Sequence, residues 1–278
     1  MGKGYTIAIS GKGGVGKTVV AAYLIKRFAQ QGTVLAIDAD PDSNLALALG
    51  VPTGKTVSEI RDIVSDASPR TKVGKAKQQQ FEKSLNEAIG EFPQFDLVSM
   101  GYSEGPGCYC PHNYVIRRVI DSRSGSYDFT IIDCHAGLEH LNRKTTRDVD
   151  LMLVVSDPTV KAITTVKRVQ ELSKKLLIKF GEILVIVNKI TPEAKPLLDK
   201  AAKDNGVNIT AYIPFDPAIG HLDAQGKPIS EISPNSPFAM AVEEIYQKIL
   251  TKLKIQEPSV DRAAGLAKTA LSGAEIIQ

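Results

Sequence analysis

The clearest chemical signal in this chain is a run of eight residues, Gly11 to Thr18, that reads GKGGVGKT. The run fits the pattern G-x-x-x-x-G-K-[ST], in which successive backbone N–H groups surround the phosphates of a nucleotide. In this pattern Lys17 reaches the terminal phosphates and Thr18 offers its hydroxyl to Mg²⁺. A glycine-rich turn that matches by chance is the alternative. The predicted cofactor-binding residues are Gly11, Gly13, Gly14, Val15, Gly16, Lys17 and Thr18.

Carboxylates follow two apolar segments of the chain. Asp38 and Asp40 come after residues 33–37, and Asp133 follows residues 128–132. Ligands of open α/β sheets bind at the carboxyl ends of the strands, so we expect these side chains beside the γ-phosphate. Asp38 and Asp133 are predicted to hold Mg²⁺ or its waters. The alternatives are a solvated acidic turn in the first case and an ordinary strand-end aspartate in the second.

Two of the three cysteines, Cys108 and Cys110, stand one residue apart in the segment GPGCYCPHN at 105–113. Thiols at this spacing cannot form a relaxed disulfide with each other, but both can face one metal ion. A two-fold dimer would supply the pair twice and create a four-sulfur site suited to Zn²⁺, Ni²⁺ or an iron–sulfur cluster. Two inert thiols are the alternative.

One more cysteine and three histidines lie near these groups. Cys134 follows Asp133, and because side chains alternate along a strand we expect it to point away from Mg²⁺ and to pack. His112, two residues after the cysteine pair, is expected at the surface, with an extra metal ligand as the alternative. His135 and His140 could sense the metal site, but nothing in the sequence selects either of them.

Alternating strand-like and helix-like segments must position these groups. Apolar runs occur at 5–10, 33–37, 95–99, 128–132, 151–155, 183–187 and 209–213. Helical spacing occurs at 17–31, about 76–90, 110–122, 159–179, 193–205 and 236–253. Several runs are apolar on both faces, which is typical of a parallel sheet covered by helices. We therefore predict an α/β fold with a doubly wound, mostly parallel sheet and helices on both faces.

One domain is predicted over residues 1–255, with the cysteine segment at 105–113 as part of it. The polar segment 65–91 is expected to be an exposed insertion that is partly helical. The tail at 256–278 begins near a proline and is rich in small residues. It is expected to be a loosely docked helix or partly disordered.

Composition limits the classes of partner. The net charge is +3 over 278 residues, which does not indicate the strongly basic surface of a nucleic-acid-binding protein. No apolar run approaches the roughly 18–20 residues that span a bilayer. The N-terminus enters the first apolar run at once, without the pattern of a signal peptide. We expect a cytoplasmic protein with no nucleic-acid and no membrane partner.

The additional lysine, Lys12, makes the phosphate loop resemble the deviant Walker A motif of the MinD/ParA/nitrogenase iron protein family of P-loop ATPases. The resemblance implies a homodimer in which Lys12 reaches the nucleotide of the partner subunit. It implies that Asp40, directly before Pro41, orients the attacking water, and that the sequence DCHAG at 133–137 is switch II. The catalytic residues implied in this way are Lys12, Lys17 and Asp40.

Two later segments resemble the base-contacting positions of the same family. Asn188 ends an apolar run, and its amide has the donors and the acceptor needed to read the edge of adenine. The segment Ile213-Pro214-Phe215-Asp216 resembles the I-P-x-D sequence of the family. Either segment could equally be a turn. Residues 188–191 lack the aspartate of the guanine pattern N-K-x-D, so ATP is favoured over GTP. Asn188, Pro214 and Asp216 are therefore predicted to bind the nucleotide.

The sequences GKGGVGKT, DADPDSN, GCYCP and DCHAG together resemble the ATPases that insert nickel into carbon monoxide dehydrogenase. This resemblance implies an ATP-hydrolysing nickel metallochaperone that uses ATP/ADP and Mg²⁺. Cys108 and Cys110 would bind Ni²⁺ (or Zn²⁺) across a homodimer whose assembly depends on nucleotide and metal. The client would be apo carbon monoxide dehydrogenase, and the similar maturation ATPase of acetyl-CoA synthase fits equally well.

Two other functions remain open at this point. An electron-transfer ATPase like the nitrogenase iron protein would hold a [4Fe–4S] cluster, but its cysteines are far apart in sequence and one follows D-x-x-A-G. A positioning ATPase like MinD or ParA would need a basic amphipathic C-terminal helix for membranes or a basic patch for DNA. The tail of this chain is rich in alanine and glycine and is nearly neutral.

Overall fold

The structure, a computed structural model, describes residues 4–60, 79, 83–102, 110–135, 149–173 and 180–255. The strands are β1 (Tyr5–Gly11), β2 (Val34–Ala39), β3 (Ile89–Glu91), β4 (Asp96–Ser99), β5 (Phe129–Cys134), β6 (Val149–Ser156), β7 (Phe180–Ile190) and β8 (Ile209–Pro214). The helices are α1 (Lys17–Phe28), α2 (Leu45–Leu49), α3 (Cys110–Arg123), α4 (Val160–Ser173), α5 (Lys195–Asn205), α6 (Pro217–Ala224) and α7 (Pro237–Leu253). Residues 83–87 are also helical, and short 3₁₀ turns lie at Ser124–Ser126 and Ile229–Glu231.

The described strands form one sheet in the order β3-β4-β2-β5-β1-β6-β7-β8. Neighbouring strands run parallel, except that β3 pairs antiparallel with β4 at the edge. β1 lies in the interior of the sheet, between β5 and β6, and leads directly into the phosphate loop. The predicted α/β fold, a mostly parallel sheet with helices on both faces, is confirmed.

Each face of the sheet is covered by helices that close a hydrophobic core. One core takes Phe28 from α1, Leu45 from α2 and Tyr246 from α7. The other takes Val119 from α3 and Ile163 from α4. Because successive side chains of a strand point to opposite faces, strands that serve both cores are apolar at nearly every position. These continuous apolar runs explain why the strands could be recognised from sequence.

The seven strands predicted from apolar runs are all present, with ends shifted by a few residues. β3 was missed because three residues, IGE, are too short to show alternation. α2 and α6 were missed because five and eight residues are shorter than the windows in which helical spacing is recognised. The helix predicted over about 76–90 is wrong at its end, where β3 begins at Ile89.

Some predictions fall on residues outside the described part of the chain. They concern residues 105–109 of the cysteine segment, most of the insertion at 65–91, switch II from residue 136 onward, and the tail at 256–278. The single-domain assignment therefore stays a prediction. None of the helices in the described ranges is long and apolar enough to cross a membrane.

Candidate active site

The phosphate loop joins β1 to α1, and close contacts exclude a side chain at two of its glycines. Gly16 is the N-cap of α1 and has a φ of 90°, in the left-handed region that other residues rarely adopt. A Cβ there would lie 2.5 Å from Nδ2 of Asn188, and a Cβ on Gly11 would lie 2.1 Å from the carbonyl oxygen of Val155. The loop therefore packs against the ends of β6 and β7 too closely for a side chain at either position.

The two lysines of the loop have different environments. Lys17 is 6% exposed, and its Nζ donates to the carbonyl oxygen of Lys12 at 3.2 Å. The side chain of Lys12 is exposed. α1 begins without a side-chain cap and without an acidic residue in its first turn. An anion at this helix end would meet unopposed partial positive charge from the N–H groups, so the loop is suited to phosphate.

Two residues at the end of β7 hold the phosphate loop. Asn188 is 5% exposed and donates from Nδ2 to the carbonyl oxygen of Val15 at 2.8 Å. Lys189 donates from Nζ to the carbonyl oxygen of Gly14 at 3.1 Å, and its backbone N–H donates to Oδ1 of Asn188 at 2.8 Å. The amide predicted to read adenine is thus bonded to the loop itself, which gives Asn188 a structural role that the sequence did not indicate.

A cleft of about 610 Å³ opens beside the loop at the carboxyl ends of the strands. This volume is in the range of small-molecule sites. The predicted residues that line it are Gly13, Gly14, Gly16, Lys17, Thr18, Asp40, Asn188, Pro214 and Asp216. Four residues that the sequence did not assign to nucleotide binding also line the cleft: His135, Lys189, Phe215 and Ile219. Phe215 is 58% exposed and gives the cleft an aromatic surface suited to a base.

Asp133 is the most enclosed carboxylate beside the loop. It is 1% exposed, and the strand register pairs it with Ile9 of β1 and with Asp38 of β2. Neither of its oxygens has a hydrogen-bond partner among the described residues. Burial raises its pKa to about 7, although the nearby Thr18 hydroxyl and the Lys17 charge act to lower it. A buried carboxylate with two unused oxygens beside a threonine hydroxyl fits Mg²⁺, which prefers oxygen ligands.

Asp38 orders the loop that follows β2. Its Oδ1 accepts the N–H of Asp40 at 3.1 Å, and its Oδ2 accepts the N–H of Leu45 at 2.9 Å. Burial and the charge of Asp133 raise its pKa to about 8, against the two hydrogen bonds that lower it. The prediction that Asp38 holds Mg²⁺ gains no support from these contacts, because both oxygens are already bonded to the backbone.

Asp40 is fixed by contacts from two directions. Its Oδ1 accepts the backbone N–H of Asp42 at 3.1 Å, and its Oδ2 lies 2.9 Å from Nδ1 of His135. The two side chains are 22% and 47% exposed, at the margin of the cleft. Sequence reasoning noted His135 without giving it a role. The only signal was its place two residues after Asp133, at the end of β5.

Asp216 joins two helices at the far side of the cleft. Its Oδ1 caps α6 by accepting the N–H of Ala218 at 3.0 Å, and its Oδ2 accepts the N–H of Phe238 in α7 at 3.1 Å. The side chain is largely buried, so its predicted contact with nucleotide is not supported by its hydrogen bonds. Pro214 and Phe215, directly before it, line the cleft together with Asp216.

The predicted nickel or zinc ligands are only partly covered by the structure. Cys108 lies outside the described residues, and Cys110 is placed only as the first residue of α3. In the part of the chain that the structure describes, no group of three or more His, Cys, Asp and Glu side chains could hold a metal ion. This result leaves the cysteine prediction untested, because Cys108 and the side chain of Cys110 lie outside what the structure describes.

Two residues close in sequence to Cys110 and Asp133, namely His112 and Cys134, lie in the interior of the protein. His112 was expected at the surface, but it is 5% exposed on α3, and burial lowers its pKa. The histidine lies on the helix face that packs on the second core, which explains the error. Cys134 is a free, fully buried thiol in that same core, so the prediction that it packs is confirmed.

Comparison with known proteins agrees with this geometry. Residues 6–229 match the family described as the CobQ/CobB/MinD/ParA nucleotide binding domain. An uncharacterized ATP-binding protein of Methanocaldococcus jannaschii is 40% identical over 249 residues, which cover 88% of this chain and 98% of that protein. The carbon monoxide dehydrogenase accessory protein CooC of Rhodospirillum rubrum is 31% identical over 242 residues, which cover 82% of this chain and 90% of that protein.

A solved structure shares the fold as well as sequence. The septum site-determining protein MinD from Pyrococcus horikoshii, complexed with Mg-ADP, is 28% identical with a TM-score of 0.62. The match covers 88% of this chain and 95% of that one. The phosphate loop, the sheet order and these similarities agree. This chain belongs to the CobQ/CobB/MinD/ParA nucleotide-binding family and is an ATPase of the MinD/ParA class.

Proposed function

We propose that this protein is an ATP-hydrolysing nickel metallochaperone that matures a nickel enzyme such as carbon monoxide dehydrogenase. It acts as a homodimer in the cytoplasm, and Cys108 and Cys110 of both subunits hold Ni²⁺ (or Zn²⁺) between them. The similarity to CooC over most of the chain supports this assignment. The C-x-C sequence supports it as well, because thiolates are suitable ligands for such metals.

The proposed mechanism of ATP hydrolysis is in-line attack of water on the γ-phosphate. Asp40 accepts a hydrogen bond from the water and orients it, because its carboxylate lines the cleft with the phosphate loop. Lys17 and the partner subunit's Lys12 neutralise charge that develops on the phosphates. Thr18 and Asp133 would hold Mg²⁺, which supplies further charge neutralisation at the β- and γ-phosphates. Asp133 fits this role because neither of its oxygens has a hydrogen-bond partner within normal distance among the described residues, and the Thr18 hydroxyl is nearby.

The main structural support for the proposal is a set of hydrogen bonds. They connect the cleft to the part of the chain that leads to the cysteine pair. The N–H of Met100 donates to the carbonyl oxygen of Asp38 at 2.9 Å. The N–H of Gly101 donates to Oγ of Ser43 at 2.9 Å, and that hydroxyl donates to the carbonyl oxygen of Asp40 at 3.3 Å. If residues 38–43 shift when the γ-phosphate is lost, these hydrogen bonds would therefore also move Gly101, which lies seven residues before Cys108.

This connection supplies what a metallochaperone needs. Thiolates bind borderline metals such as Ni²⁺ and Zn²⁺ tightly, so delivery to a client requires a second state in which the ligands are placed differently. Two nucleotide states that position Met100 and Gly101 differently would provide those two states. ATP binding then favours one metal affinity and hydrolysis favours the other.

The test is the metal content of the purified protein, with nickel and zinc measured per subunit alongside the mass of the oligomer. Samples contain ADP, ATP or no nucleotide. We expect one metal per dimer, a content or affinity that changes with nucleotide, and loss of the metal in a Cys108→Ser/Cys110→Ser variant. Cys134→Ala is the matched control, since this thiol is buried in the second core and should leave metal binding unchanged.

The opposite results would assign other functions. ATP-dependent dimerisation without metal in any nucleotide state would contradict the metallochaperone and favour a MinD- or ParA-like positioning ATPase. A brown, redox-active chromophore would favour an iron-protein-like [4Fe–4S] ATPase. The client is then decided by adding the nickel-loaded protein and ATP to apo carbon monoxide dehydrogenase or apo acetyl-CoA synthase and measuring which enzyme gains activity.

A further inference from the structure

Asp40 and His135 meet because their strands are neighbours in the sheet. β2 and β5 pair in parallel, with Asp38 directly opposite Asp133. Asp40 and His135 each stand two residues beyond these paired aspartates, so both chains leave the sheet side by side. The result is a contact of 2.9 Å between Oδ2 of Asp40 and Nδ1 of His135. Since a carboxylate can only accept, Nδ1 carries the hydrogen in this pair.

The contact matters for the orientation of the carboxylate. The N–H of Asp42 holds Oδ1 of Asp40 at 3.1 Å, but a single bond would leave the carboxylate free to turn about it. The imidazole holds the second oxygen from a different element, the end of β5. Two donors from two directions select one rotamer, which places the carboxylate for reaction before the substrate arrives.

His135 is poorly suited to a purely structural role. Its side chain is 47% exposed and lines the cleft, outside both hydrophobic cores. Removing the ring would leave no buried cavity, so packing gives no reason for a histidine at this position. Its contact with Asp40 is the feature that distinguishes it from an ordinary surface residue.

We propose that His135 is a positioning residue for ATP hydrolysis, because it donates from Nδ1 to Oδ2 of Asp40 and holds that carboxylate toward the attacking water. The inference rests on the role proposed above for Asp40. In this role His135 acts through Asp40, not directly on the phosphates or the water. Its removal therefore lowers the rate of the chemical step and leaves nucleotide binding largely unchanged.

The experiment compares His135→Ala with His135→Asn in the full-length protein. The asparagine amide carries an N–H donor the same number of bonds from Cα as Nδ1, so it can remake the contact. We expect kcat for ATP hydrolysis to fall by about tenfold to a hundredfold in the alanine variant. We expect KM for ATP, the Kd for ADP and Tm to stay near the wild-type values, and kcat to recover in the asparagine variant.

Asp40→Asn and the double variant Asp40→Asn/His135→Ala separate the two proposals. If Asp40→Asn hydrolyses ATP at the wild-type rate, the role of Asp40 is wrong. If Asp40→Asn is inactive while His135→Ala keeps the wild-type kcat, the role of His135 alone is wrong. A loss of Tm and nucleotide affinity in His135→Ala that asparagine fails to restore would likewise overturn it. Support requires that His135→Ala cause no further loss in the Asp40→Asn background, since both residues act through one carboxylate.

Discussion

The two sides of the nucleotide cleft are held in different ways. The phosphate loop is fixed by glycine backbone conformation and by Asn188 and Lys189, which donate to its carbonyl oxygens. The segment that follows β2 is held by carboxylates instead, with Asp38 and Asp40 accepting N–H groups of the same segment. The first set of contacts involves no group that a nucleotide or Mg²⁺ must displace.

This difference assigns different tasks to the two sides. A loop held by neutral and backbone contacts is already arranged to bind phosphates, so it determines affinity. A segment held by carboxylates responds to the charge of the γ-phosphate and of a cation, so it is the part that can change with nucleotide state. Variants on the first side should alter binding, and variants on the second should alter hydrolysis and its coupling to metal.

Gly16→Ala tests the phosphate-loop side of the cleft and should have the largest effect on nucleotide binding. The left-handed conformation costs a residue with a Cβ about 1–2 kcal/mol. The new Cβ would also displace Asn188, which lies 2.5 Å from its position. We expect the Kd for ADP, measured by calorimetric titration, to rise by about a hundredfold. Gly54→Ala is the control, because nothing lies within 4 Å of a Cβ there. A Kd within threefold of wild type would contradict the importance of the loop conformation.

Asp38→Ala tests the carboxylate-held side. The substitution leaves the N–H groups of Asp40 and Leu45 without their acceptor, which should lower the free energy of unfolding by about 2 kcal/mol. We expect ATP hydrolysis to be largely lost while ADP still binds within a few-fold of wild type. Denaturant unfolding and ADP titration together check this result. A loss of ADP affinity as large as that in Gly16→Ala would show that the two sides do not have separate tasks.

Ser43→Ala tests whether the segment after β2 is coupled to the cysteine segment, because it removes a hydrogen bond that connects them. It removes the oxygen that accepts the N–H of Gly101 at 2.9 Å. We expect the ratio of nickel affinities with ATP and with ADP to shrink by about threefold to tenfold, with nickel binding itself retained. Ser58→Ala is the matched control, since its hydroxyl also bonds this segment, at the carbonyl oxygen of Met100, but does not reach residues 38–45. Equal ratios in both variants would contradict the proposed path.

Glu243→Gln should have the smallest effect on stability and function, because Glu243 does not line the cleft. Glu243 of α7 holds Arg27 at the end of α1 at 2.6 and 2.8 Å, and the hydrogen bond from Arg27 lowers its pKa. A depressed carboxylate pKa stabilises the fold above the unfolded-state value and loses this effect as pH falls. Because the two side chains are 27% and 36% exposed, we expect a contribution under about 1 kcal/mol at neutral pH. The difference from wild type should disappear as the pH drops from about 5 to 3, in unfolding titrations. Glu244→Gln, exposed on the same helix, should show no such difference.

Features that depend only on contiguous residues could be predicted from the sequence. The octet from Gly11 to Thr18 specified the phosphate loop, and continuous apolar runs specified seven strands. The errors arose where a residue's surroundings come from distant parts of the chain. His112 has no local signal for burial, and Asp216 has none for its bond to Phe238.

The sequence by itself determined the fold class, the phosphate loop and the identity of the carboxylates, because each depends on local periodicity or on one spacing. Only the tertiary structure decided what these groups contact. The order of the strands brings Asn188 to Val15, 173 residues away, and places Asp40 beside His135. It also leaves the oxygens of Asp133 without a hydrogen-bond partner in the described chain, whereas those of Asp38, its neighbour across the sheet, accept two backbone N–H groups. Strand order follows from the packing of both cores at once, and no short stretch of sequence contains that information.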